Sequence, residues 1–424
     1  MRTEARAAGP PVVTPRRLRA PRSVAVAAQR QAGEPGGGEP TPAALQRRAL
    51  LGAGAAAASG VLSGFGGLAA RPPPAAAAPA GAPLPLVPKA PLTPRLSVSQ
   101  VIKGCWQLSG GHRGERASDR TAGQEAVDDF GAFYRAGITS FDAADHYGPA
   151  EALIGRFLGT DPSLRANCQV LSKYCVFSGQ EMATVSARSV RTAVETSLKR
   201  LGVDSVDLMQ FYWGSYSVPR YVDAALHLMD LRAQGLVKEV GVTNFDVPRL
   251  EAMAKAGVEI ASNQVQYSLL DRRPALGPMA DYCASAGTKL LPYGVLAGGF
   301  LTDRYVGVDV RNVRADTYSK SKYSSVLVES VGGWEGLQRL LAGLKPIAAK
   351  HNTTIANVAA RWVLQQPLVP AVILGARNAD HVDDHRALFA FALDEGDAAA
   401  IGALLEGGRR PKGDCYSWER GGEF

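Results

Sequence analysis

The sequence predicts a (β/α)8 barrel. Short runs rich in Val, Ile and Phe alternate with segments of helical periodicity, and there are eight such units. The composition, with 46% hydrophobic and 20% charged residues, allows the large core that such a barrel needs. Alternation on this scale indicates a parallel sheet, and eight units favour a closed barrel. An open doubly wound sheet is the alternative, but no GxGxxG motif follows any of the runs.

The eight units follow one another along the chain. An opening strand within 97–107 precedes a helix predicted over 123–136. Six further strand–helix pairs are 138–144 with 149–159, 168–174 with 182–202, 206–213 with 219–234, 237–244 with 247–257, 261–268 with 277–287, and 288–295 with 334–350 after a long variable stretch. A helix over 354–366 then leads to the eighth strand within 370–376, and a last helix starts near residue 379.

The first 90 residues differ in composition from the rest, which divides the chain into a leader, 1–90, and a barrel, 91–424. The leader holds eleven basic and three acidic residues, which accounts for the whole net charge of +8. The remaining 36 basic and 36 acidic residues balance each other. Nucleic-acid binding would need a basic surface on the folded domain, so no nucleic-acid partner is predicted.

The leader has the Arg-rich, nearly acid-free composition of an organelle transit peptide. Arg47 and Arg48 precede the uncharged run 49–70, as in a twin-arginine export signal. A basic first part followed by a twin-arginine second part resembles the bipartite address of thylakoid-lumen proteins. We therefore expect a cleaved leader and a chloroplast location in the thylakoid lumen, with the stroma or bacterial export as alternatives. Ala and Gly dominate the uncharged run, so no stable membrane anchor is expected.

Polar or aromatic residues follow nearly every predicted strand. In barrels of this kind the catalytic groups lie at the carboxyl ends of the strands and in the loops after them. The residues at these positions are Asp142, Tyr147, Lys173, Tyr212, Trp213, Thr243, Asn244, Gln264, Tyr293, Gly375, Arg377 and Asn378. A single residue of this kind would be an ordinary surface group, but the whole set predicts an active site at this rim.

With these residues in place, residues 95–390 resemble the aldo-keto reductases, NAD(P)H-dependent (β/α)8 oxidoreductases. The resemblance rests on several motifs, namely "GITSFDAADHYGPAEALIGRFL", "LSKY", "SLKRLGVDSVDLMQFYW", "GLVKEVGVTNF", "SNQVQYSLLDRR", "LPYGVLAGGFL" and "VILGARNADHVDDH". It implies hydride transfer to a small-molecule aldehyde or ketone.

The side chains themselves suggest how a proton would reach the reduced carbonyl. A free tyrosine, with a pKa of about 10, is a poor acid–base group at neutral pH. We expect Lys173 to lower the pKa of Tyr147, the general acid–base, and Asp142 to pair with Lys173 and fix its position. For Asp142 alone, capping of a helix or turn is the simpler interpretation.

Tyr212 departs from the family pattern, in which the fourth catalytic position is a His in a "QxHW"-like setting. Here the chain reads "QFYW". A phenol can still donate a hydrogen bond to a carbonyl, but it stays neutral over the usual pH range. Because Asp142, Tyr147 and Lys173 are all present, the sequence favours a retained reductase activity with an altered substrate preference or pH profile. The alternative is a sensor or regulatory barrel that binds cofactor with little turnover.

The resemblance also assigns cofactor and substrate contacts. Tyr293 is expected to stack on the nicotinamide, and an adenosine 2′-phosphate at Arg377 favours NADPH over NADH. His381 and His385 stand where the family often has Gln or Glu and then Asn. Thr243, Asn244 and Gln264 are expected to hydrogen-bond the nicotinamide carboxamide, and the segment 294–299, with Gly294, Leu296 and Gly298, to pass close to the pyrophosphate. Gly375 and Asn378 are the remaining expected cofactor residues, and Trp106 and Trp213 are those of the substrate pocket.

The five cysteines and six histidines show neither a CxxC motif nor an HExxH or His/Cys cluster, so the sequence predicts no metal. The oligomeric state stays open, with a monomer favoured.

Overall fold

The computed structural model describes residues 83–109, 122–315 and 317–408. Their central element is an eight-stranded parallel barrel. The barrel strands are β3 (Val101–Gly104), β4 (Ser140–Asp142), β5 (Gln169–Val176), β6 (Val206–Trp213), β7 (Val237–Thr243), β8 (Ser262–Gln266), β9 (Lys289–Tyr293) and β10 (Val372–Gly375). Their hydrogen-bonded order is β10-β3-β4-β5-β6-β7-β8-β9, and the end strands β9 and β10 lie against each other. The predicted barrel and its eight strands are confirmed.

Helices connect the strands and form the outer layer. In the described part of the chain they are α1 (Gly123–Arg135), α2 (Ala150–Leu158), α3 (Ser163–Asn167), α4 (Gly179–Ala183), α5 (Ala187–Leu201), α6 (Tyr221–Ala233), α7 (Val247–Lys255), α8 (Arg273–Leu276), α9 (Pro278–Ala286), α10 (Tyr318–Val331), α11 (Trp334–Lys350), α12 (Ile355–Leu364), α13 (Val382–Ala387) and α14 (Glu395–Leu405). Short 3-10 turns lie at Trp106–Leu108, Ala297–Gly299, Asp303–Tyr305, Val310–Asn312 and Ala379–His381.

Local capping explains several helix boundaries. Ser186 and Asp394 form capping boxes before α5 and α14, and the Asp246 side chain accepts from the backbone N–H of Arg249 at the start of α7. The helix predicted over 182–202 is therefore two helices, because Ser186 begins a new one.

A β-hairpin that the sequence analysis did not separate closes the amino end of the barrel. It consists of antiparallel strands β1 (Lys89–Thr93) and β2 (Leu96–Ser99). Its Leu92 and Leu96 pack with Leu171 of β5 and Leu208 of β6 in one buried cluster inside the barrel. The hairpin thus plugs the end opposite the predicted rim.

The hairpin places the start of the folded part before residue 91. Val87 is already buried, and its N–H donates to the carbonyl of Ala136 at 2.9 Å. The expected leader of 1–90 thus overlaps the fold by several residues. The predicted targeting signals, including Arg47 and Arg48, lie outside the described residues.

Two helices were not predicted: α10 lies in the long variable stretch after β9, and α14 follows α13, which corresponds to the last predicted helix. Both have weak amphipathic patterns and bury their apolar residues against α11 and its neighbours rather than against the strands. Among the described helices, none combines the length and apolarity that crossing a bilayer requires.

Candidate active site

Four buried polar side chains from four strands form a hydrogen-bonded network inside the barrel. Lys173 Nζ donates to Asp142 Oδ2 at 2.7 Å, and the amides of Gln210 and Gln264 donate to Asp142 Oδ1 at 2.9 and 2.7 Å. Gln264 Nε2 also donates to Gln210 Oε1 at 2.8 Å. A buried ion pair is tolerated when further hydrogen bonds satisfy its remaining atoms, as these amides do for the carboxylate.

Strand alternation explains why these side chains meet. Lys173 of β5 lies opposite Gln210 of β6, and Cys175 lies opposite Tyr212. These four residues share the inward parity of Leu171 and Leu208, which pack inside the barrel. Lys173 and Tyr212 are thus on the face that the sequence analysis required.

Trp213 has the opposite parity and is not brought to the rim. Its side chain is fully buried with Phe211 in the cluster between barrel and helices, and its indole N–H donates to the carbonyl of Val218 at 2.9 Å. A one-residue step along a strand reverses the face, so the neighbour of Tyr212 points outward. The expectation that Trp213 lines the substrate pocket is therefore wrong. Trp106 is half-buried at the start of the turn after β3.

Tyr147 lies beside the ion pair, with Lys173 Nζ 4.8 Å from the centre of its ring. Burial raises the pKa of Tyr147 to about 12, while the charge of Lys173 lowers it and Asp142 raises it. Lys173 therefore acts in the predicted direction, but burial outweighs it. Tyr147 is a protonated donor throughout the neutral range.

Lys173 keeps its charge in this environment. Burial alone would lower its pKa, but Asp142 and Tyr147 more than offset that effect and raise the pKa above its ordinary value. Lys173 Nζ also donates to the carbonyl of Ala143 at 2.8 Å. The ammonium group is thus a fixed positive charge next to the phenol.

Glu151 anchors the loop that carries Tyr147. It is 1% exposed, accepts a 2.6 Å hydrogen bond from Ser172 Oγ and pairs with Arg200 at 3.2 Å. Arg200 also donates to the carbonyl of Asp145 at 2.8 Å. The loop after β4 is thereby tied to both β5 and α5, which holds the phenol in place.

Aromatic rings form one side of the opening above this network. The ring of Phe177 lies 5.3 Å from that of Tyr212 and 4.9 Å from that of His146, and His146 lies 4.8 Å from Tyr147. Phe177 is 50% exposed despite its apolar side chain. His146 and Phe177 could not be recognised from the sequence, because each follows a strand end as an ordinary loop residue.

The residues expected at the nicotinamide contact one another on the other side of the barrel. Tyr293 Oη donates to Asn244 Oδ1 at 3.0 Å, and Thr243 Oγ1 donates to the carbonyl of Gln264 at 3.1 Å. Gln264 uses its amide N–H groups on Asp142 and Gln210, so its Oε1 is the atom suited to accept from a carboxamide.

Helix α10 fills space that was expected for the cofactor pyrophosphate. A side chain at Gly294 would collide with the Tyr323 ring, and one at Gly298 with the backbone of Ser319; both glycines have positive φ, of 69° and 67°. The missing side chains thus make room for this helix. Leu296 is partly buried and packs against two clusters, the one between barrel and helices and the one that contains the apolar residues of α10. Lys322 of α10, which the sequence analysis missed, has its Nζ 4.9 Å from the centre of the Tyr293 ring.

The segment after β10 has similar internal contacts. Asn378 caps the turn Ala379–His381, with its Oδ1 accepting from Asp380 N at 3.2 Å and its Nδ2 donating to Asp380 Oδ2 at 3.0 Å. A side chain at Gly375 would collide with the amide of Gln107. Arg377 is half-buried in the loop between them.

These features fit a dinucleotide cofactor. Gln107 Oε1, next to Gly375, is buried without a hydrogen-bond partner among the described residues and could accept from a ligand donor. Uncharged amides near Tyr293 match a carboxamide, and the cations Lys322 and Arg377 suit phosphates. Groups suited to a carboxamide and groups suited to phosphates are thus both present among the described residues.

Comparisons with known proteins agree with the fold and the sequence motifs. The profile of the aldo/keto reductase family matches residues 100–406. A chloroplastic pyridoxal reductase of Arabidopsis thaliana is 29% identical over 265 residues, which are 59% of this chain and 68% of that protein. An NADH-specific methylglyoxal reductase of Escherichia coli is 25% identical over 339 residues, which cover 75% of this chain and 98% of that one. The crystal structure of an aldo-keto reductase from Klebsiella pneumoniae in complex with NADPH has a TM-score of 0.55 at 21% identity and covers 76% of this chain and 94% of that chain.

Proposed function

The chain belongs to the aldo/keto reductase family, and we propose that it reduces an aldehyde or ketone to an alcohol, with Tyr147 as the general acid. The observation that carries this proposal is the position of Tyr147 next to the Lys173–Asp142 ion pair at the carboxyl end of the barrel. NADPH, when bound, supplies the hydride.

Each residue of this cluster has a separate task. The Tyr147 hydroxyl donates its proton to the carbonyl oxygen, which becomes the alcohol oxygen. Lys173 stabilises the phenolate that remains, because the opposite charge is held beside it. Asp142 positions Lys173, and the amides of Gln210 and Gln264 hold Asp142. In the reverse direction the phenolate would accept the alcohol proton.

Tyr212 is the second group that we assign to the substrate oxygen. It shares the inward face with Lys173, and its ring is next to Phe177 at the opening. Its hydroxyl can donate a hydrogen bond to a carbonyl as an imidazole would, without carrying charge.

The cofactor would be held by residues on both sides of Tyr293. We assign Thr243, Asn244 and Gln264 Oε1 to the nicotinamide carboxamide, and the Tyr293 ring to its face. Lys322 of α10, rather than the segment 294–299 against which that helix packs, would contact the pyrophosphate. Arg377, together with Gly375 and Asn378, is our basis for preferring NADPH to NADH, since a guanidinium binds phosphate in a fork.

The proposal is tested with purified protein that lacks the leader. Adding NADPH should quench tryptophan fluorescence, and adding an aldehyde should then oxidise the NADPH. Methylglyoxal and pyridoxal, the substrates for which the two relatives are named, are the first aldehydes to try. Repeating both measurements with NADH gives the cofactor preference. Quenching without oxidation of NADPH by any aldehyde would contradict the reductase proposal.

That last outcome would support a second function, a sensor or regulatory barrel that binds cofactor with little turnover. The specific observation in its favour is Tyr212, which occupies the position of the family's His. Binding by either function uses the same cofactor residues, so only turnover separates them.

We also propose a plastid location, in the thylakoid lumen. The support is the basic, acid-poor leader with Arg47 and Arg48, together with a relative that is chloroplastic. Changing both arginines to lysine should leave a tagged protein in the stroma of isolated chloroplasts. Unchanged delivery to the lumen would remove the twin-arginine interpretation, and import that stops in the stroma for the unaltered leader would favour the stromal alternative.

A further inference from the structure

Three side chains with metal-binding atoms meet at the opening of the barrel. The ligand atoms of Asp145, His146 and Cys175 all lie within 4.8 Å of one another. His146 Nδ1 is 3.0 Å from Asp145 Oδ1, and Asp145 Oδ2 accepts from the backbone N–H of Cys175 at 3.0 Å. Two of the residues are half-buried and His146 is exposed, so an ion from solvent can reach them.

The fold holds this cluster in place. The loop with Asp145 is fixed by the Asp145 N–H donating to the carbonyl of Lys173 at 3.3 Å and by Arg200 donating to the Asp145 carbonyl at 2.8 Å. Cys175 lies within strand β5. Adjacent residues of one loop and a cysteine of the next strand have no characteristic sequence spacing, which is why the absence of metal motifs did not exclude such a cluster.

We propose that Asp145, His146 and Cys175 bind a borderline-soft divalent cation, Zn²⁺, with a fourth position open to water. Carboxylate, imidazole and thiolate are all Zn²⁺ ligands, and three protein ligands with one open position is a common arrangement. The carboxylate and the thiolate together neutralise the charge of the ion. Zn²⁺–ligand bonds of about 2.0–2.3 Å place tetrahedral ligand atoms roughly 3.5 Å apart, so the cluster has to contract by about 1 Å. The exposed His146 side chain can supply that movement.

Binding releases a proton, because the Cys175 thiol is deprotonated when its sulfur binds the ion, and the proton passes to solvent.

A cation at this cluster would act on the neighbouring proton donor. His146 precedes Tyr147 and contacts its ring, and Cys175 lies on the same inward face as Lys173. The bound ion would occupy the opening beside Phe177, next to this donor. Zn²⁺ should thus inhibit carbonyl reduction; this consequence rests on the proposed function, whereas the binding does not.

Co²⁺ binding to the metal-free protein tests the site without using activity, because a Co²⁺–thiolate bond produces a charge-transfer absorption band. We expect this band to saturate at one Co²⁺ per chain and to disappear when Zn²⁺ is added. Cys175→Ser should abolish it. The matched control is Cys283→Ser, which removes a buried free thiol within α9 and should keep the band.

His146→Gln provides a second variant, at an exposed position where folding is not at risk. It should weaken Co²⁺ binding at least tenfold, since even the loss of a group that only supports a ligand has effects of about 10–100-fold. His227→Gln on α6 is its control and should change nothing. A far-UV circular dichroism spectrum like that of the unaltered protein shows that the barrel of each variant is folded.

The absence of a thiolate band in the unaltered protein, or its persistence in Cys175→Ser, would overturn the proposal. Equal weakening by His227→Gln and His146→Gln would do so as well. A thiolate band in a protein that reduces no aldehyde would instead leave the metal site standing and count against the reductase function alone.

Discussion

Lys173 Nζ lies 4.8 Å from the centre of the Tyr147 ring, yet burial still raises the pKa of that phenol to about 12. The cation therefore moderates an effect of burial that is larger than its own. A donor with this pKa is fully protonated when a carbonyl arrives, and Lys173 acts mainly on the phenolate that forms afterwards.

The first prediction is that Tyr147→Phe abolishes turnover and leaves NADPH binding intact. The substitution removes the proton donor, and general acid catalysis contributes about 10²-fold or more. Steady-state rates with an aldehyde and fluorescence quenching with NADPH measure the two effects. Tyr282→Phe, at a half-buried tyrosine of α9, is the control and should behave like the unaltered protein. A Tyr147→Phe protein with normal turnover would exclude this phenol as the acid.

The second prediction concerns the unusual residue at the rim. Tyr212→His should raise turnover on a simple aldehyde and introduce a pH dependence near 6.5, the ordinary pKa of histidine, because an imidazole can donate to the carbonyl as a neutral or a charged group. The measurement is kcat/KM as a function of pH. Tyr212→Phe, which cannot donate, should be slower than the unaltered protein. If His and Phe have the same effect, the hydroxyl of Tyr212 has no part in the reaction.

The third prediction concerns stability and the Lys173–Asp142 pair, whose side chains are 3% and 4% exposed. Lys173→Met should lower the free energy of unfolding by roughly 3–5 kcal/mol, because it leaves a buried carboxylate without its cation. Adding Asp142→Asn should recover most of that loss, since the uncharged amide needs no counter-ion. Urea unfolding of the two single variants and the double variant measures the coupling. Additive losses would mean that the pair is not coupled in stability.

The fourth prediction is a loss of stability in mild acid caused by His385. Burial lowers its pKa to about 4, and the charges of His381 and Lys103 add to this while Asp384 opposes it. An unfolded histidine titrates near 6.5, so the unfolded chain binds more protons between these two values. The stabilisation is present above about pH 6.5 and is lost as the pH falls towards 4, in total roughly 3 kcal/mol.

His385→Asn should reduce this loss. Urea unfolding at about pH 7 and about pH 4.5 measures it, and His227→Asn, at a half-buried histidine on the barrel surface, is the control. The same acid-induced loss in His385→Asn and in the unaltered protein would show that other groups cause it.

The fifth prediction separates the leader from the barrel. Removing residues 1–80 should leave a folded protein with near-neutral net charge, because the described contacts begin after that point. Removing 1–95 should be destabilising, since it deletes β1, the buried Val87 and the carbonyl of Pro85, which accepts from Arg386 at 3.2 Å. Thermal unfolding compares the two. Equal stability of the two truncated proteins would mean that β1 is dispensable. Insolubility of the protein that lacks only residues 1–80 would mean that the leader is structural.

Local patterns in the sequence were sufficient for the barrel and for part of its site. The eight strand–helix alternations, and the carboxylate, phenol and lysine near strand ends, are visible in the chain because period and position depend on neighbouring residues only. The prediction that Asp142 pairs with Lys173 followed from charge alone, and the 2.7 Å contact agrees with it.

Tertiary structure decided the rest, because burial and long-range contacts are not local properties. The amide of Gln264 reaches Asp142 from a residue 122 positions away, and only packing makes burial outweigh Lys173 at Tyr147. The face of Trp213 depended on the exact register of β6, and the space at Gly294 on a helix that has a weak pattern of its own. Asp145, His146 and Cys175 become neighbours because parallel strands bring the loop after β4 beside the end of β5, a proximity that no spacing along the chain records.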